Sequence, residues 1–396
     1  MLGEIHQYQF SQRSSYLKRS VMRDLLKHAV DPNIISLAGG LPADESLPTA
    51  QLQACMNTVI ERDGAAAYQY SPQHNPLRQW LADYMNKRGV ACTVDNIFIT
   101  NGNQQALGIL SRLFLDEGDV AVIEEAVFTG IQQGTKGVGA QVITVPTDLE
   151  TGVDVDALER VFIQQDVKLA VLIPDFHNPL GISMSVEKRQ RVAELAARYS
   201  VPIAEDDAYS QLRFSGEALP PIAAFQHDDY VFYMGSFSKM LAPSLRMGWM
   251  VIPEQLLPKV TVLRESIDLE TSTLTQRTVA EFLQNGYLPQ HLTQLNAEHE
   301  KRANKLMTAL NNHLADIASW VVPEGGLFTW LTLPPHINTW DMLQSAIDAG
   351  VVYIPGGAFA LDGSKTNTMR LNFSKVAPDK FEEGIARLSA VIHSSL

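Results

Sequence analysis

The chain has 396 residues, 45% of them hydrophobic and 19% charged, enough apolar material for two or three packed units of ~100 to 200 residues and too much for a disordered polymer. Its net charge of −13 opposes docking on phosphate backbones or anionic lipid heads, so neither nucleic acid nor membrane is expected as a partner. The two cysteines, Cys55 and Cys92, lack CxxC pairing, and the ten histidines form no metal-type pair on a helix, so no disulfide framework and no metal are expected.

The first twenty residues are polar and of mixed charge, without the apolar core of a secretory signal, and no apolar run approaches the ~18 residues that span a bilayer. A cytoplasmic protein is expected. A helix is predicted over Ser20 to Ala29, stopped by Asp31-Pro32. From about residue 95 to 255 short β-rich runs alternate with helical periodicity. Ile97 to Thr100, Val120 to Ile123, Val142 to Val145, Leu169 to Ile173, Val201 to Glu205, Val231 to Met234 and Trp249 to Ile252 read as strands. Ser185 can cap a helix whose Val192, Leu195, Ala196 and Tyr199 share one face. That alternation predicts an α/β domain with a mostly parallel sheet.

Beyond about residue 290, long helical stretches are broken by Trp320 to Val322, Leu327 to Leu333, Val351 to Ile354 and Met369 to Phe373, as in a smaller α+β unit. The expected division is an N-terminal segment over 1–45, a large domain over 46–285 and a small domain over 286–396.

Ligands of open α/β sheets bind outside the carboxyl ends of the strands, where loops and helix N-termini converge. Four predicted strands end in polar, loop-forming residues: Asn101-Gly102-Asn103-Gln104, then Pro174 to Gly181 with Asn178, then Asp206-Asp207-Ala208-Tyr209, then Gly235-Ser236-Phe237-Ser238-Lys239. Together they offer an anion-cradling turn, an amide, a carboxylate with a phenol, and a lysine. Pyridoxal phosphate requires partners of these kinds for its phosphate, phenolic oxygen, ring nitrogen and aldehyde.

Read singly, each residue has a plainer explanation. Lys239 alone would be a surface charge, Asp206 a helix cap, Asn178 an Asn-Pro turn, Arg370 a structural ion pair, and Tyr70 and Phe128 core aromatics. Ser236-Phe237-Ser238-Lys239 also satisfies the S-x-x-K of serine β-lactamases, but S-D-N is missing and only Lys365-Thr366-Asn367 stands near K-T-G. Glu205-Asp206-Asp207 could suggest Mg²⁺, yet no P-loop accompanies it, and no G-x-G-x-x-G supports a nicotinamide enzyme.

The segment GSFSKMLAPSLRMGW at 235 to 249 resembles the cofactor-lysine motif of class I/II aminotransferases of PLP fold type I. SLAGGLP at 36 to 42, YQYSP at 68 to 72, NPLG at 178 to 181, EDDAY at 205 to 209, PEGGLF at 323 to 328 and MRLNFS at 369 to 374 match in type and order. Similarity is greatest to 2-aminoadipate and kynurenine aminotransferases, a branch also fused to DNA-binding domains in MocR-type regulators. The resemblance implies a Schiff base on Lys239, Asp206 at the pyridine nitrogen, and Asn178 and Tyr209 at the phenolic oxygen. It assigns the phosphate to Ser236, Ser238, Arg246 and the amides near Asn103 and Gln104, and ring stacking to Phe128. Arg370 would grip the substrate α-carboxylate, with Gly40 close by. Tyr70 would reach the phosphate in a second copy, making a homodimer. Asn103 replaces the usual Ser, Ala126 replaces a usual Pro, and the stretch between Tyr70 and Leu77-Arg78 is short and lacks glycine.

The implied reaction is ping-pong transfer from an L-amino acid to a 2-oxo acid such as 2-oxoglutarate, with Lys239 moving the Cα proton. Arg23 suggests an acidic donor such as 2-aminoadipate, or is a solvated helix charge, while nearby apolar residues equally suit aromatic or branched donors. A PLP-dependent decarboxylase, β-lyase or racemase is the enzymatic alternative. A PLP-binding regulator is the other, although the catalytic-type region begins by residue 20 and a preceding winged helix is not expected.

Overall fold

A computed structural model of the chain describes residues 8–17, 24, 25, 27 and 31–396. Arg23 and most of the helix expected over residues 20 to 29 lie outside the described residues. The seven runs predicted between 95 and 255 all form strands: β1 (Ile97–Thr100), β2 (Val120–Glu124), β3 (Gln141–Val145), β4 (Val167–Leu172), β5 (Ile203–Asp207), β6 (Val231–Ser236) and β7 (Gly248–Val251). They make one sheet in the order β1-β7-β6-β5-β4-β2-β3, parallel throughout except for β7, which runs antiparallel to both neighbours. Expected and observed ends differ by a residue or two. At β5 the cause is Pro202, which has no N–H to give the ladder, so the strand begins at Ile203.

Both faces of this sheet are dry. Ile97, Ile99, Val122, Leu172, Ile203, Tyr233 and Trp249 point into one core, and their sequence neighbours Phe98, Ala121, Ile123, Val171, Ala204, Phe232 and Met250 into the other. Such burial explains why the strands read as near-continuous apolar runs rather than strict alternations. Helix α1 (Asn103–Phe114) follows β1, α2 (Thr129–Lys136) follows β2, and α3 (Val186–Tyr199) precedes β5. Ser185 caps α3 as predicted, its hydroxyl accepting from Lys188 N at 3.3 Å.

A second core forms farther along the chain. Strands β8 (Ser319–Trp320), β9 (Phe328–Thr332), β10 (Ile354–Pro355) and β11 (Thr368–Asn372) build a sheet in the order β8-β9-β11-β10. Leu331, Leu371 and Phe373 pack with Leu306 and Leu310 of the helix Tyr287–Leu314 and with Ile385 and Leu388 of the helix Phe381–His393. The run expected as one strand over Val351 to Ile354 divides at Tyr353. Val351–Val352 pairs in parallel with Ile35–Ser36, whereas Ile354–Pro355 turns to β11, and the buried Tyr353 hydroxyl donates to Thr339 O at 2.6 Å between them. Leu37 N bonds Val352 O and Leu37 O accepts from Asn372 N, which leads residues 38–40 to where their carbonyls accept from Arg370 and Lys239.

Candidate active site

The carboxyl ends of β1, β4, β5 and β6 open on one cavity of about 330 Å³, with further wall from Gly40-Leu41, Phe328 and Arg370. Larger hollows occur elsewhere, one of about 680 Å³ beside the helix Tyr287–Leu314, but they lack a comparable set of reactive groups. The smaller cavity collects Gly40, Asn103, Gln104, Phe128, Asn178, Asp206, Tyr209, Ser236, Ser238, Lys239, Arg246 and Arg370, so all but two of the residues singled out in the sequence meet there. Tyr70 is the first exception, 79% exposed on the surface of this copy. Arg23 is the second, for the reason given above.

Lys239 stands three residues beyond β6, and Nζ donates to Gly40 O at 2.6 Å. Burial, then the positive charges of Arg370 and Arg246, push the amine down to about 8. A neutral, nucleophilic amine is thus accessible near physiological pH.

Three consecutive acids on β5 face three different environments. Glu205 turns into the core and accepts from Ile222 N and Ala223 N at 2.7 and 2.9 Å. Asp207 turns the same way and meets Arg88 at 2.9 Å and the Tyr233 hydroxyl at 2.8 Å. Asp206, pointing oppositely by strand alternation, is the one that reaches the cavity. Burial pushes its carboxyl up to about 6, against the pull of a hydrogen bond from Asn103.

Arg370 lies in β11, fully buried. Nη1 donates to Asn178 Oδ1 at 2.8 Å, and Nη2 donates to the carbonyls of Ala38 and Gly39 at 2.7 and 3.1 Å. Its guanidinium lies 4.1 Å from the Phe328 ring centroid and 5.0 Å from that of Phe359. Among the described residues Nε has no partner and no carboxylate pairs with the group; burial pushes it down to about 9. The structural ion pair that the sequence left open for Arg370 is therefore absent among those residues. Gly40 packs closely beside it, where a Cβ would meet the Phe328 ring at 3.3 Å and press that ring to shift by a few tenths of an ångström.

Asn178 joins two parts of the site, since its Nδ2 donates to the Tyr209 hydroxyl at 3.2 Å. The turn after β1 depends on Gly102, whose φ of +82° favours glycine and whose missing Cβ leaves room for Arg246 Nη2. Arg246 donates to Asn101 O at 2.9 Å and Ser238 Oγ at 3.4 Å. In the first turn of α1, Gln105 N and Ala106 N donate to Gly102 O at 3.1 and 3.3 Å, which leaves the N–H groups of Asn103 and Gln104 without a backbone acceptor among the described residues. Gln104 is held by a bond from Nε2 to Gly130 O at 3.1 Å.

Sequence reasoning missed two features. Glu124, the last residue of β2, accepts from Ile173 N at 2.9 Å and lies 3.0 Å from His177 Nε2, a buried pair directly behind Asn178. The polar end of β2 was the available signal. Phe328 was noticed as part of a motif, but its seat under Arg370 was not.

The aminotransferase class I and II family model matches residues 32–388, and the chain belongs to that family. It is 37% identical to the aromatic-amino-acid aminotransferase 1 of Thermococcus litoralis over 98% of this chain and 94% of that one. Among solved structures, the kynurenine aminotransferase of Pyrococcus horikoshii in complex with PMP superposes with a TM-score of 0.94 at 35% identity, over 100% and 99% of the two chains. The α-aminoadipate aminotransferase LysN of Thermus thermophilus, complexed with N-(5'-phosphopyridoxyl)-L-leucine, gives 0.90 at 30% identity over 97% of each. Helix-turn-helix regulators are more distant relatives, as with one from Bacillus subtilis at 27% identity over 94% of this chain and 77% of that one. The protein is a PLP-dependent aminotransferase with the fold-type I architecture. Among the described residues no helix is long and apolar enough to cross a membrane.

Proposed function

We propose that the protein transfers the amino group of an L-amino acid with an aromatic, branched aliphatic or 2-aminoadipate side chain to a 2-oxo acid such as 2-oxoglutarate. The observation that carries this reading is Arg370, a buried guanidinium with no carboxylate partner among the described residues and an unused Nε, beside the cavity that holds Lys239. A buried cation without a counter-ion is costly, and a substrate α-carboxylate supplies the missing charge in the forked geometry arginine favours.

The residues present fit pyridoxal phosphate. Asp206 has a carboxylate oxygen free of hydrogen bonds from the described residues, Lys239 has an amine of lowered pKa, and the turn at Gly102 leaves the N–H groups of Asn103 and Gln104 without a backbone acceptor among those residues. The bound cofactor supplies an aldehyde for exchange with amines and a cationic ring that accepts electron density from the substrate Cα. Lys239 Nζ would be the amine that holds the cofactor and, once displaced by the substrate amine, the base placed to take a proton from the substrate Cα. Asp206 holds the proton on the ring nitrogen. Asn178 and Tyr209 direct hydrogen bonds to the phenolic oxygen. Ser236, Ser238, Arg246 and the first-turn amides of Asn103 and Gln104 hold the phosphate, and Phe128 covers the ring. Arg370 and Asn178 orient the carboxylate, and Gly40 keeps the approach open.

For the donor side chain, the described wall is largely apolar, with Leu41, Leu107, Ile131 and Phe328 among its members. This favours aromatic and branched donors, while an acidic donor would require Arg23. A panel of amino donors against 2-oxoglutarate, ranked by kcat/KM for the chain and for Arg23→Ala, tests the choice. Aromatic donors leading in both chains supports the apolar reading; a 2-aminoadipate preference abolished by Arg23→Ala contradicts it.

We further infer a cytoplasmic homodimer in which Tyr70 completes the site of a second copy. Supporting this, Tyr68, Tyr70 and Leu269 are all more than half exposed, and Leu269 also holds a φ of +64°. Large apolar side chains gathered on a surface favour contact with another chain. We also infer that residues 46–285 act as the large domain, 286–396 as the small one, and 1–45 as a segment bordering the site.

A further inference from the structure

Asn103 sits where the anion turn enters α1, yet its side chain is directed away from the anion position. Nδ2 donates to Asp206 Oδ1 at 2.6 Å and to Met234 O at 3.0 Å. Two acceptors on one amide nitrogen fix which way the amide faces, and Oδ1 is left buried with no partner among the described residues. Among the described residues Asn103 is the only hydrogen-bond donor on the Asp206 side chain, while Glu205 and Asp207 meet their donors on the opposite face of the strand. The torsion that swings a carboxylate is broad, so a single anchored oxygen determines where the other points.

We propose that Asn103 is a positioning residue: by holding Asp206 Oδ1 it turns Oδ2 toward the ring nitrogen of the cofactor and keeps the carboxylate ionised. This rests on the reading of Asp206 as the partner of that nitrogen. The serine usual at this place in the resembling family has one heavy atom beyond Cβ and no amide, so the device belongs to this chain's own substitution.

The electrostatic setting makes the anchor matter. Asp207 stands beside Asp206 on the same strand and opposes its charge, while His177 on the loop after β4 favours it; Tyr209 and Lys239 share the cavity wall. A hydrogen bond to the ionised form counters the burial that otherwise drives Asp206 toward neutrality. Without it, Asp206 protonates more readily and loses alignment, the ring nitrogen holds its proton less firmly, and the imine nitrogen on Lys239, no longer facing a cationic ring, holds its own proton to higher pH.

The test is a pH titration of the visible absorption band of the holoenzyme in wild type, Asn103→Ser, Asn103→Leu and Asp206→Asn. The midpoint should rise by about one unit in both Asn103 variants, the size of a charge-assisted hydrogen bond, and rise also in Asp206→Asn. If Asp206→Asn shifts while both Asn103 variants titrate like wild type or move downward, the role given to Asn103 is overturned and that of Asp206 stands. If Asp206→Asn itself titrates like wild type, the underlying reading of Asp206 fails. Asn103→Ser, a smaller polar replacement at this partly buried first residue of α1, decides the matter should Asn103→Leu fold poorly.

Discussion

Arg370 and Asn178 lie 192 residues apart, and the guanidinium Nη1 of one donates to the amide Oδ1 of the other at 2.8 Å. Because Asn178 also donates to the Tyr209 hydroxyl, the residue proposed to hold the substrate carboxylate is joined through one side chain to the residue proposed to meet the cofactor's phenolic oxygen. In the proposed roles, substrate grip and cofactor contact therefore share an orientation.

Replacing Arg370 by Gln should impair catalysis selectively. Losing one partner of a buried, hydrogen-bonded charge pair costs about 2 to 5 kcal/mol, so kcat/KM for the amino donor should fall about 30-fold to 5,000-fold. The absorption band of the bound cofactor should persist. Steady-state kinetics on each donor checks this, and an unchanged kcat/KM would remove Arg370 from substrate binding.

Gly102→Ala should loosen the cofactor and destabilise the chain. Its φ of +82° with ψ of 173° lies in a region open essentially to glycine alone, and a Cβ would stand 2.9 Å from Arg246 Nη2. Strain of this kind costs about 1 to 3 kcal/mol. Urea unfolding of the apoprotein and equilibrium dialysis of the cofactor should both register the change. A fully wild-type affinity would mean that the turn does not hold the phosphate.

Attachment of the cofactor to apoprotein should follow the free amine of Lys239. With that amine pushed down to about 8 from the 10.5 of an ordinary lysine, the neutral fraction rises as pH approaches 8 and levels off above it. Stopped-flow mixing across pH 6 to 10 is the measurement. A rate still climbing at pH 10 would place the nucleophile on an unperturbed lysine.

Mixing Tyr70→Phe chains with Lys239→Ala chains tests the shared site. Each homodimer should be impaired, and exchange should restore activity, since a mixed dimer contains one site with both Lys239 and Tyr70. Absence of rescue under conditions where mass spectrometry shows mixed dimers would confine the site to one chain.

Much of this arrangement was legible in the sequence, for identifiable reasons. A sheet buried on both faces needs β-branched and apolar runs, so all seven strands stood out, and polar residues immediately after four of them marked the cavity. Arg370 and Lys239 were found because short motifs surround them. The pair Glu124–His177 and the bond from Asn103 to Asp206 were hidden, because they join residues 53 and 103 positions apart through a strand order that no local pattern encodes. The break at Tyr353 was hidden likewise, since both halves of that run are equally β-prone and tertiary partners alone divide them. Tyr70 was legible as a motif member, but the task proposed for it depends on a second copy.

The central claim is that Lys239 carries the cofactor, and borohydride reduction of the holoenzyme followed by peptide mapping tests it most directly. The account predicts one phosphopyridoxyl group per chain, on Lys239, with the visible band lost in step. Modification of a different lysine, or a Lys239→Ala variant that transaminates at a comparable rate, would contradict it.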